Sequence, residues 1–335
     1  MRRVLQGVPL VARADRGRRH HRRWTTFLVR RLTRCAVSLV LVATGTFAMI
    51  RLIPGDPVRA ALGVDAPPAL VAARRHQLGL DQPLPVQFRH FIDALLHGDL
   101  GTSLVTGEPV TELVATRLPA TLRLAGLAFA VIISVAVPIG LLAAAWIRDG
   151  RRPRADLAFT TTASVLIGVP DFVLAAGLTA ALAIGLPLFP VAGGTGITAY
   201  VLPVTALALA PCAMLTRIVR VEALKVLAED YMRTARAKRL PALTQYVRHA
   251  LPNMLTASLA VAGNMLPALV GGTALVEKVF AWPGLGSAIA QSVVAEDYPV
   301  VQATVLVLSA AVLTVNLLVD LALALLDPRS TLGES

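Results

Sequence analysis

The chain has 335 residues, of which 56% are hydrophobic and only 16% are charged, and its formal net charge is +12. So few charges, together with a mean hydropathy of +0.68, exclude an ordinary soluble domain of this length and indicate a membrane protein. The positive charge does not indicate a nucleic-acid partner, because it is concentrated in segments that flank the apolar runs.

The first 23 residues are rich in arginine and have no apolar periodicity. We expect a disordered basic tail on the inner side of the membrane, and attachment to anionic lipid is the alternative. A cleaved signal peptide is a further alternative for the first 48 residues. The apolar run continues past the small residues at Ala43-Thr44-Gly45, which favours an uncleaved first helix.

Six apolar segments are each long enough to cross a bilayer, and backbone groups in lipid must be satisfied internally, so we expect helices. Of the 32 Lys and Arg residues, 24 lie in the segments that an inside N-terminus places inside, and 8 lie in the others. This asymmetry predicts that both ends are inside. The predicted spans are 27–53, 120–147, 157–186, 200–218, 253–276 and 299–326.

Residues 54–118 form a long outer segment between the first two spans. Pro and Gly mark its turns, and the stretches 68–79 and 85–97 are each predicted to form a short helix. The segment is interpreted as a cap on the helix ends, as a docking surface for a substrate-delivering protein, or as both.

Three polar residues in or beside the spans are candidate lining of a translocation path. Asp171 follows a proline near the middle of the third span, where a charge is costly and suggests function. Asn264 lies in the fifth span, and Glu277 lies at its outer mouth. The alternative for each is a polar group satisfied by a neighbouring helix. Asp320, near the inner end of the sixth span, is expected at the membrane interface.

The chain lacks the motifs of phosphate and metal chemistry. No G-x-x-x-x-G-K-[ST], H-E-x-x-H or C-x-x-C occurs, and the histidines have no ligand spacing. Cys35 and Cys212 fall in predicted spans and are interpreted as small apolar residues. We therefore expect no enzyme activity, no bound cofactor and no catalytic metal.

Residues 222–252 form a charged, amphipathic segment between two spans. Pro241 is expected to break its first helix, and a second short helix is expected to run towards Pro252. The pattern alone is compatible with a protein partner or with a helix lying on lipid. Small and apolar residues recur at spacings of three and four and predict one helical stripe: Val221, Leu224, Ala228, Tyr231 and Ala235.

The same segment resembles the coupling loop, or EAA loop, of ABC importer permeases of the dipeptide/oligopeptide/nickel class. Residues 229–240 and 248–251 follow the pattern E-D-Y-x-R-T-A-R-A-K-G-L and R-H-A-L, with Arg239 in place of the family's Gly. Further strings resemble the same family in the same order, so the resemblance runs from about residue 24 to residue 329. These strings are 53–57, 78–83, 98–103, 117–122 and 276–286.

The resemblance implies a type I ABC importer fold with six transmembrane helices and a cytoplasmic coupling loop. It implies a basic tail (1–23), a first span with the outer segment (24–118), a permease domain (119–329) and a short tail (330–335). The residues expected to couple to an ATPase are Glu229, Tyr231, Arg233, Thr234, Ala235, Arg236, Ala237, Lys238 and Arg239.

The implied function is ATP-driven uptake across the inner or plasma membrane, most simply of di- and oligopeptides, with nickel chelates or other small solutes as the alternative. The implied partners are a second permease subunit, two ATPase subunits that bind ATP and Mg²⁺, and an external substrate-binding protein. An ion-coupled secondary transporter would need ionisable residues along several spans. A membrane receptor or scaffold would need no coupling loop.

Overall fold

The computed structural model describes residues 11–52, 58–59, 66–77, 79–147, 152–193 and 196–326. In these ranges the chain is built from helices and turns, with one isolated bridge between Thr102 and Pro109. The prediction of an all-α membrane protein is confirmed. The first ten residues of the basic tail, the string 53–57 and the tail 330–335 lie outside the described residues.

The helices are, in chain order, α1 Val11–Leu52, α2 Pro68–Gln77, α3 Leu84–Leu96, α4 Val110–Ile147, α5 Pro153–Gly168, α6 Asp171–Leu178, α7 Thr198–Ala228, α8 Asp230–Ala237, α9 Leu251–Val279, α10 Leu285–Val294 and α11 Tyr298–Leu326. The α1 helix begins at Val11, so residues 11–23 are helical and the expectation of a disordered tail is wrong there. The two short helices predicted in the outer segment are present as α2 and α3.

Five of the described helices are long and apolar enough to cross a membrane: α1, α4, α7, α9 and α11. The helix α6 continues as the π-helical segment Thr179–Gly185. The pair formed by α5 and this continued α6 makes a sixth span if it is taken as one bent unit. On that count the six predicted spans are confirmed, although α4 and α7 extend well beyond the predicted apolar segments.

The third span is not one kinked helix, because α5 and α6 meet at an angle of 99°. Pro170 is the physical reason. A residue before proline is held away from the helical region, and Val169 is extended at φ −89° and ψ 123°. Pro170 then caps α6, and its carbonyl accepts hydrogen bonds from the amides of Val173 and Leu174. Asp171 is therefore the first residue of a new helix.

The core lies where α7 packs against α4. A side chain at Gly140 would bring its Cβ to 2.6 Å from Cγ1 of Val219 and to 2.8 Å from the carbonyl oxygen of Thr216. Helices in lipid associate largely by close packing of small residues, and Gly140 permits that approach. A similar contact joins α9 to α11, where a Cβ at Gly263 would lie 2.7 Å from Val319.

The α1 helix lies beside this core and packs against α11. Nη1 of Arg31 lies 2.7 Å from Oδ2 of Asp320, so the two side chains form an ion pair. The geometry of this contact is not that of a hydrogen bond, and Oδ2 accepts none. Asp320 is 8% exposed and is therefore buried against α1. Its expected position at the membrane interface stays a prediction. Towards the other end of α1, Phe47 packs edge-on against Phe88 of α3, with 5.1 Å between ring centroids.

The outer segment is also tied to the turn between α10 and α11. Asp297 in that turn is buried, and its carboxylate accepts hydrogen bonds from the Ser103 hydroxyl and from the Leu104 amide, the latter at 3.1 Å. Residues far apart in sequence thus form one surface at this end of the molecule.

The close approach at Gly140 predicts that Gly140→Ala is destabilising, because the neighbouring backbone of α7 cannot give way. We expect a loss of about 1–3 kcal/mol, typical of overpacking. Gly126 lies on the same helix, and nothing lies within 4 Å of a Cβ built there, so Gly126→Ala is the matched control. Thermal unfolding of the two purified variants in detergent measures the difference. Equal midpoints would show that α4 and α7 are not in this contact.

Candidate functional site

A cavity of about 450 Å³ lies between the end of α5, the start of α6, and the facing sides of α7 and α9. Two of its wall residues carry polar groups that matter for its chemistry, Asp171 and Asn264. The remaining walls are almost entirely apolar or small: Ile167, Leu207, Ala210, Pro211, Met214, Val261, Met265, Ala268, Leu269 and Gly272.

The Asp171 carboxylate is unpartnered: within the described part of the chain it makes no hydrogen bond and no ion pair. It lies in the first turn of α6, where the helix dipole favours a negative charge. The Asn264 amide is exposed and likewise has no hydrogen-bonding partner among the described residues. The structure brings these two predicted residues into one cavity, and their role in transport stays a prediction.

Glu277, predicted to line the same path, instead lies outside the cavity and has no exposed surface. Its Oε1 accepts a hydrogen bond from the Thr121 hydroxyl at 2.7 Å, and its Oε2 accepts one from the Ser287 amide at 3.0 Å. Thr121 in turn accepts a hydrogen bond from the Leu285 amide. Glu277 therefore joins α4 and α9 to the amide end of α10, and the helix dipole compensates its charge.

Two glycines make room for this buried carboxylate. A Cβ at Gly284 would collide with the Glu277 carboxyl group, and one at Gly286 would collide with Ala274. The chain reaches this site through a left-handed turn at Ala281, with φ 48°. The sequence missed Thr121 as a partner because 156 residues separate it from Glu277.

The coupling segment does not form one continuous helical stripe. α7 ends at Ala228, and Glu229 is extended, with φ −63° and ψ 152°, before α8 begins. Val221 and Ala228 of the predicted stripe lie before the break and are exposed, because Ala223 and Leu227 form the inner face of α7 there. The break then shifts the buried face, so Tyr231 of the predicted stripe is exposed as well. The residues that face inward on either side of the break are Ala223, Leu227, Met232 and Ala235.

Arg236 fixes the angle between α7 and α8. Its Nη2 donates a hydrogen bond to the carbonyl of Leu227, and its Nε donates one to the carbonyl of Met232, both at 3.1 Å. A guanidinium placed in this way satisfies the Leu227 carbonyl, which the end of α7 leaves without an intrahelical partner. Arg236 and the buried Ala235 thus support the segment from inside.

The remaining coupling residues are exposed. Arg233 pairs with Asp230 at 3.3 Å, but both side chains are largely in solvent, and such pairs contribute little to stability. Partial burial, and to a lesser degree the Glu229 carboxylate, raise the pKa of the Tyr231 phenol, while a hydrogen bond with Asn253 lowers it. The other exposed residues of the predicted set are Thr234, Ala237, Lys238 and Arg239.

Arg239 adopts the left-handed conformation, with φ 55°. The amide of Leu240 donates a hydrogen bond to the carbonyl of Ala235 at 3.3 Å, and the amide of Arg239 donates one to the carbonyl of Arg236 at 2.9 Å. These two hydrogen bonds define a Schellman motif, in which glycine is the usual residue at this position. The turn therefore needs positive φ, and Arg239 adopts it in spite of its side chain.

The chain does not break again at Pro252. Pro241 caps a helical turn, Ala242–Thr244, which continues through the π-helical segment Gln245–Ala250 into α9. Pro252 lies in the first turn of α9, where the missing amide hydrogen costs little. The predicted second short helix is thus the beginning of the fifth span, and α8 lies between two long helices.

A second cavity, of about 460 Å³, adjoins the first and shares Ile167 and Met214 with it. Its other walls include Arg217 and Glu222. Sequence reasoning did not single out these residues, although the spacing of three and four along α7 could have found them. Among the residues that the structure describes, no group of three or more His, Cys, Asp or Glu side chains could hold a metal ion.

Comparison with known proteins gives two family matches. Residues 136–332 match the family described as "Binding-protein-dependent transport system inner membrane component". Residues 24–125 match the N-terminal part of such membrane components.

Individual relatives cover nearly the whole chain. The glutathione transport system permease protein GsiC of Pectobacterium atrosepticum is 38% identical over 304 residues, which is 90% of this chain and 97% of that protein. A Brucella suis protein, provisionally named a peptide transport system permease protein, is 36% identical over 91% of this chain and 98% of its own length.

Among solved structures, one titled "Crystal structure of an amino acid ABC transporter with histidines" covers 65% of this chain and 94% of its own, at 21% identity and a TM-score of 0.45. A similarity of this size supports no further conclusion.

The Schellman motif predicts that Arg239→Gly is tolerated and stabilises the fold. A residue with a Cβ pays roughly 1–2 kcal/mol in the left-handed region, and the greater freedom of glycine in the unfolded chain offsets part of that gain. Lys238 is the matched control, because its φ of −74° gives glycine no advantage. Thermal unfolding should show a raised midpoint for Arg239→Gly and a lowered one for Lys238→Gly. An equal fall of the unfolding midpoint in both variants would mean that Arg239 is not in the left-handed conformation.

Proposed function

Since this chain belongs to the binding-protein-dependent transport system inner membrane components, the permease subunits of ABC importers, we propose that it carries di- and oligopeptides across the membrane. The observation that supports a path through this chain is the cavity beside the broken third span, where two unpartnered polar groups face an apolar wall. In a bilayer such groups are costly unless they meet water or a solute.

The names of the relatives support peptides as the cargo. The Pectobacterium relative is named for glutathione transport and the Brucella relative for peptide transport. Glutathione is itself a short peptide, so the two names agree on the chemical class. Nickel chelates are the alternative cargo within the same family, and neither of these two names supports them.

We infer that the working transporter contains a second permease subunit, two ATPase subunits that bind ATP and Mg²⁺, and an external binding protein. The support for an ATPase contact is the exposed polar face of α8, which lies between two long helices. α7 runs from the start of α8 to the wall of the cavity, and the helix after Pro241 runs into the opposite wall. A movement of α8 on ATP binding would therefore reach both walls, as an alternating-access cycle requires.

A different class of function has one observation in its favour. The bent pair α5 and α6, with Asp171 at its break, is a feature that ion-coupled transporters also use. Uptake that collapses when the proton and sodium gradients are removed, while ATP is kept constant, would favour that class over an ATP-driven importer.

We propose that both termini and α8 lie on the cytoplasmic side. Single cysteines at position 90, in α3, and at position 237, in α8, test this in a chain whose Cys35 and Cys212 are replaced. Both positions are exposed, whereas position 235 is buried and would label poorly. An impermeant maleimide should label position 90 in intact cells and position 237 only after permeabilisation. Labelling of position 237 from outside would reverse the topology.

Uptake in a strain that lacks this gene tests the function. Complementation with the wild-type gene should restore uptake of labelled di- and tripeptides, and it should not restore uptake of nickel. Restored nickel uptake without peptide uptake would contradict the proposed cargo.

The same strain tests the role of α8 through a matched pair of variants. Ala235→Trp should overpack the buried side of α8, at a cost of about 1–3 kcal/mol, and should abolish stimulation of ATP hydrolysis by substrate. Ala237→Trp places the same ring on the exposed face of α8. If that face contacts the ATPase, Ala237→Trp should lower ATPase assembly while the permease remains stable. Full activity in both variants would place the ATPase contact elsewhere.

A further inference from the structure

One side of α7 lines both cavities and makes them a single groove. Its residues recur at spacings of three and four, which is one face of a helix. We call this surface the α7 groove, and its α7 residues are Leu207, Ala210, Pro211, Met214, Arg217, Ile218 and Val221.

One end of the α7 groove carries an unpaired negative charge. Asp171 faces the groove beside the first part of this stripe, and no cation of the described chain lies within ion-pair distance of it. Asn264 in the same cavity offers one amide donor group and one acceptor oxygen. A carboxylate and an amide in an apolar wall suit an ammonium group that is attached to a peptide bond.

The other end carries an unpaired positive charge. The Arg217 guanidinium makes one long hydrogen bond, 3.4 Å to the Ser164 hydroxyl, and forms no ion pair within the described part of the chain. The acidic side chain that shares its cavity is Glu222, whose carboxylate is already paired with Lys225 at 2.7 Å. The guanidinium can therefore take a carboxylate in its planar, two-pronged geometry.

The length of the groove suits a short peptide. Leu207 and Arg217 are ten residues apart on α7, which is about 15 Å along the helix axis. An extended tripeptide spans about 10 Å between its ends, so it fits within that length of the helix face.

We propose that the α7 groove binds a short peptide as a zwitterion, with its N-terminal ammonium at Asp171 and its C-terminal carboxylate at Arg217. This binding site rests on the proposed function, and it places within the membrane subunit a site that contacts both ends of the transported peptide. The two charges that the chain leaves unpaired are then neutralised by the solute in transit. The groove thereby favours peptides with free termini over blocked ones.

Equilibrium binding to the assembled transporter in nanodiscs, with no external binding protein present, tests this directly. The probes are radiolabelled trialanine, N-acetyl-trialanine and trialanine amide. Blocking either end of the peptide should weaken binding about tenfold, the effect of losing one partly desolvated charge pair. Asp171→Asn should weaken binding of trialanine and of the amide by the same factor, and should leave binding of the acetylated peptide unchanged. Arg217→Gln should show the reverse pattern.

Two variants serve as matched controls. Glu112→Gln and Arg154→Gln each remove an exposed charge from a residue outside the groove walls, and neither should alter binding of any probe. Losses that are equal for free and blocked peptides would overturn the proposal, because they would show that Asp171 and Arg217 do not bind the ends of the peptide. Absence of saturable trialanine binding in the wild type would also overturn it. Peptide uptake in cells would then still support the proposed function, so the two failures are distinguishable.

Discussion

The close packing of α7 against α4 requires a residue without a side chain at position 140, because a Cβ there would lie within 2.8 Å of the Thr216 carbonyl oxygen. Lipid tails are as apolar as leucine, so the hydrophobic effect does not hold two spans together. Close van der Waals packing of complementary helix surfaces must hold them instead. With one face fixed on α4, α7 has a second face free to line the groove. Its end also carries α8. The packing contact and the groove are therefore two faces of one helix, and the coupling segment is joined to the end of that helix.

The polar groups of this chain fall into two kinds. Glu277 is fully buried and accepts hydrogen bonds from a hydroxyl and from a backbone amide at the start of a helix. Asp171 also lies at the start of a helix, but no donor of the described chain reaches its carboxylate. A charge that is fully satisfied within the protein stabilises a fold. A charge left unsatisfied beside an apolar cavity is stable only when water or a ligand completes it. This difference is why we propose a structural role for Glu277 and a role in the translocation path for Asp171.

Sequence patterns predicted the spans and the two short outer helices, because hydropathy and the positions of Pro and Gly are local signals. The break at Glu229 could not be predicted in this way, since neither proline nor glycine marks it and the apolar spacing continues across it. It depends on the tertiary fit of Met232 and Ala235, which are buried after the turn. The burial of Glu277 depends on Thr121 in a different span. A pattern read along one helix carries no information about that contact.

The position of α8 also limits how a movement can pass through it. Glu229 at its beginning is an ordinary extended residue, whereas Arg239 at its end is held in the left-handed region by two backbone hydrogen bonds. Arg236 adds one hydrogen bond from α8 back to the end of α7. We therefore propose that a force on the exposed face of α8 moves α7 and α9 together, as one unit.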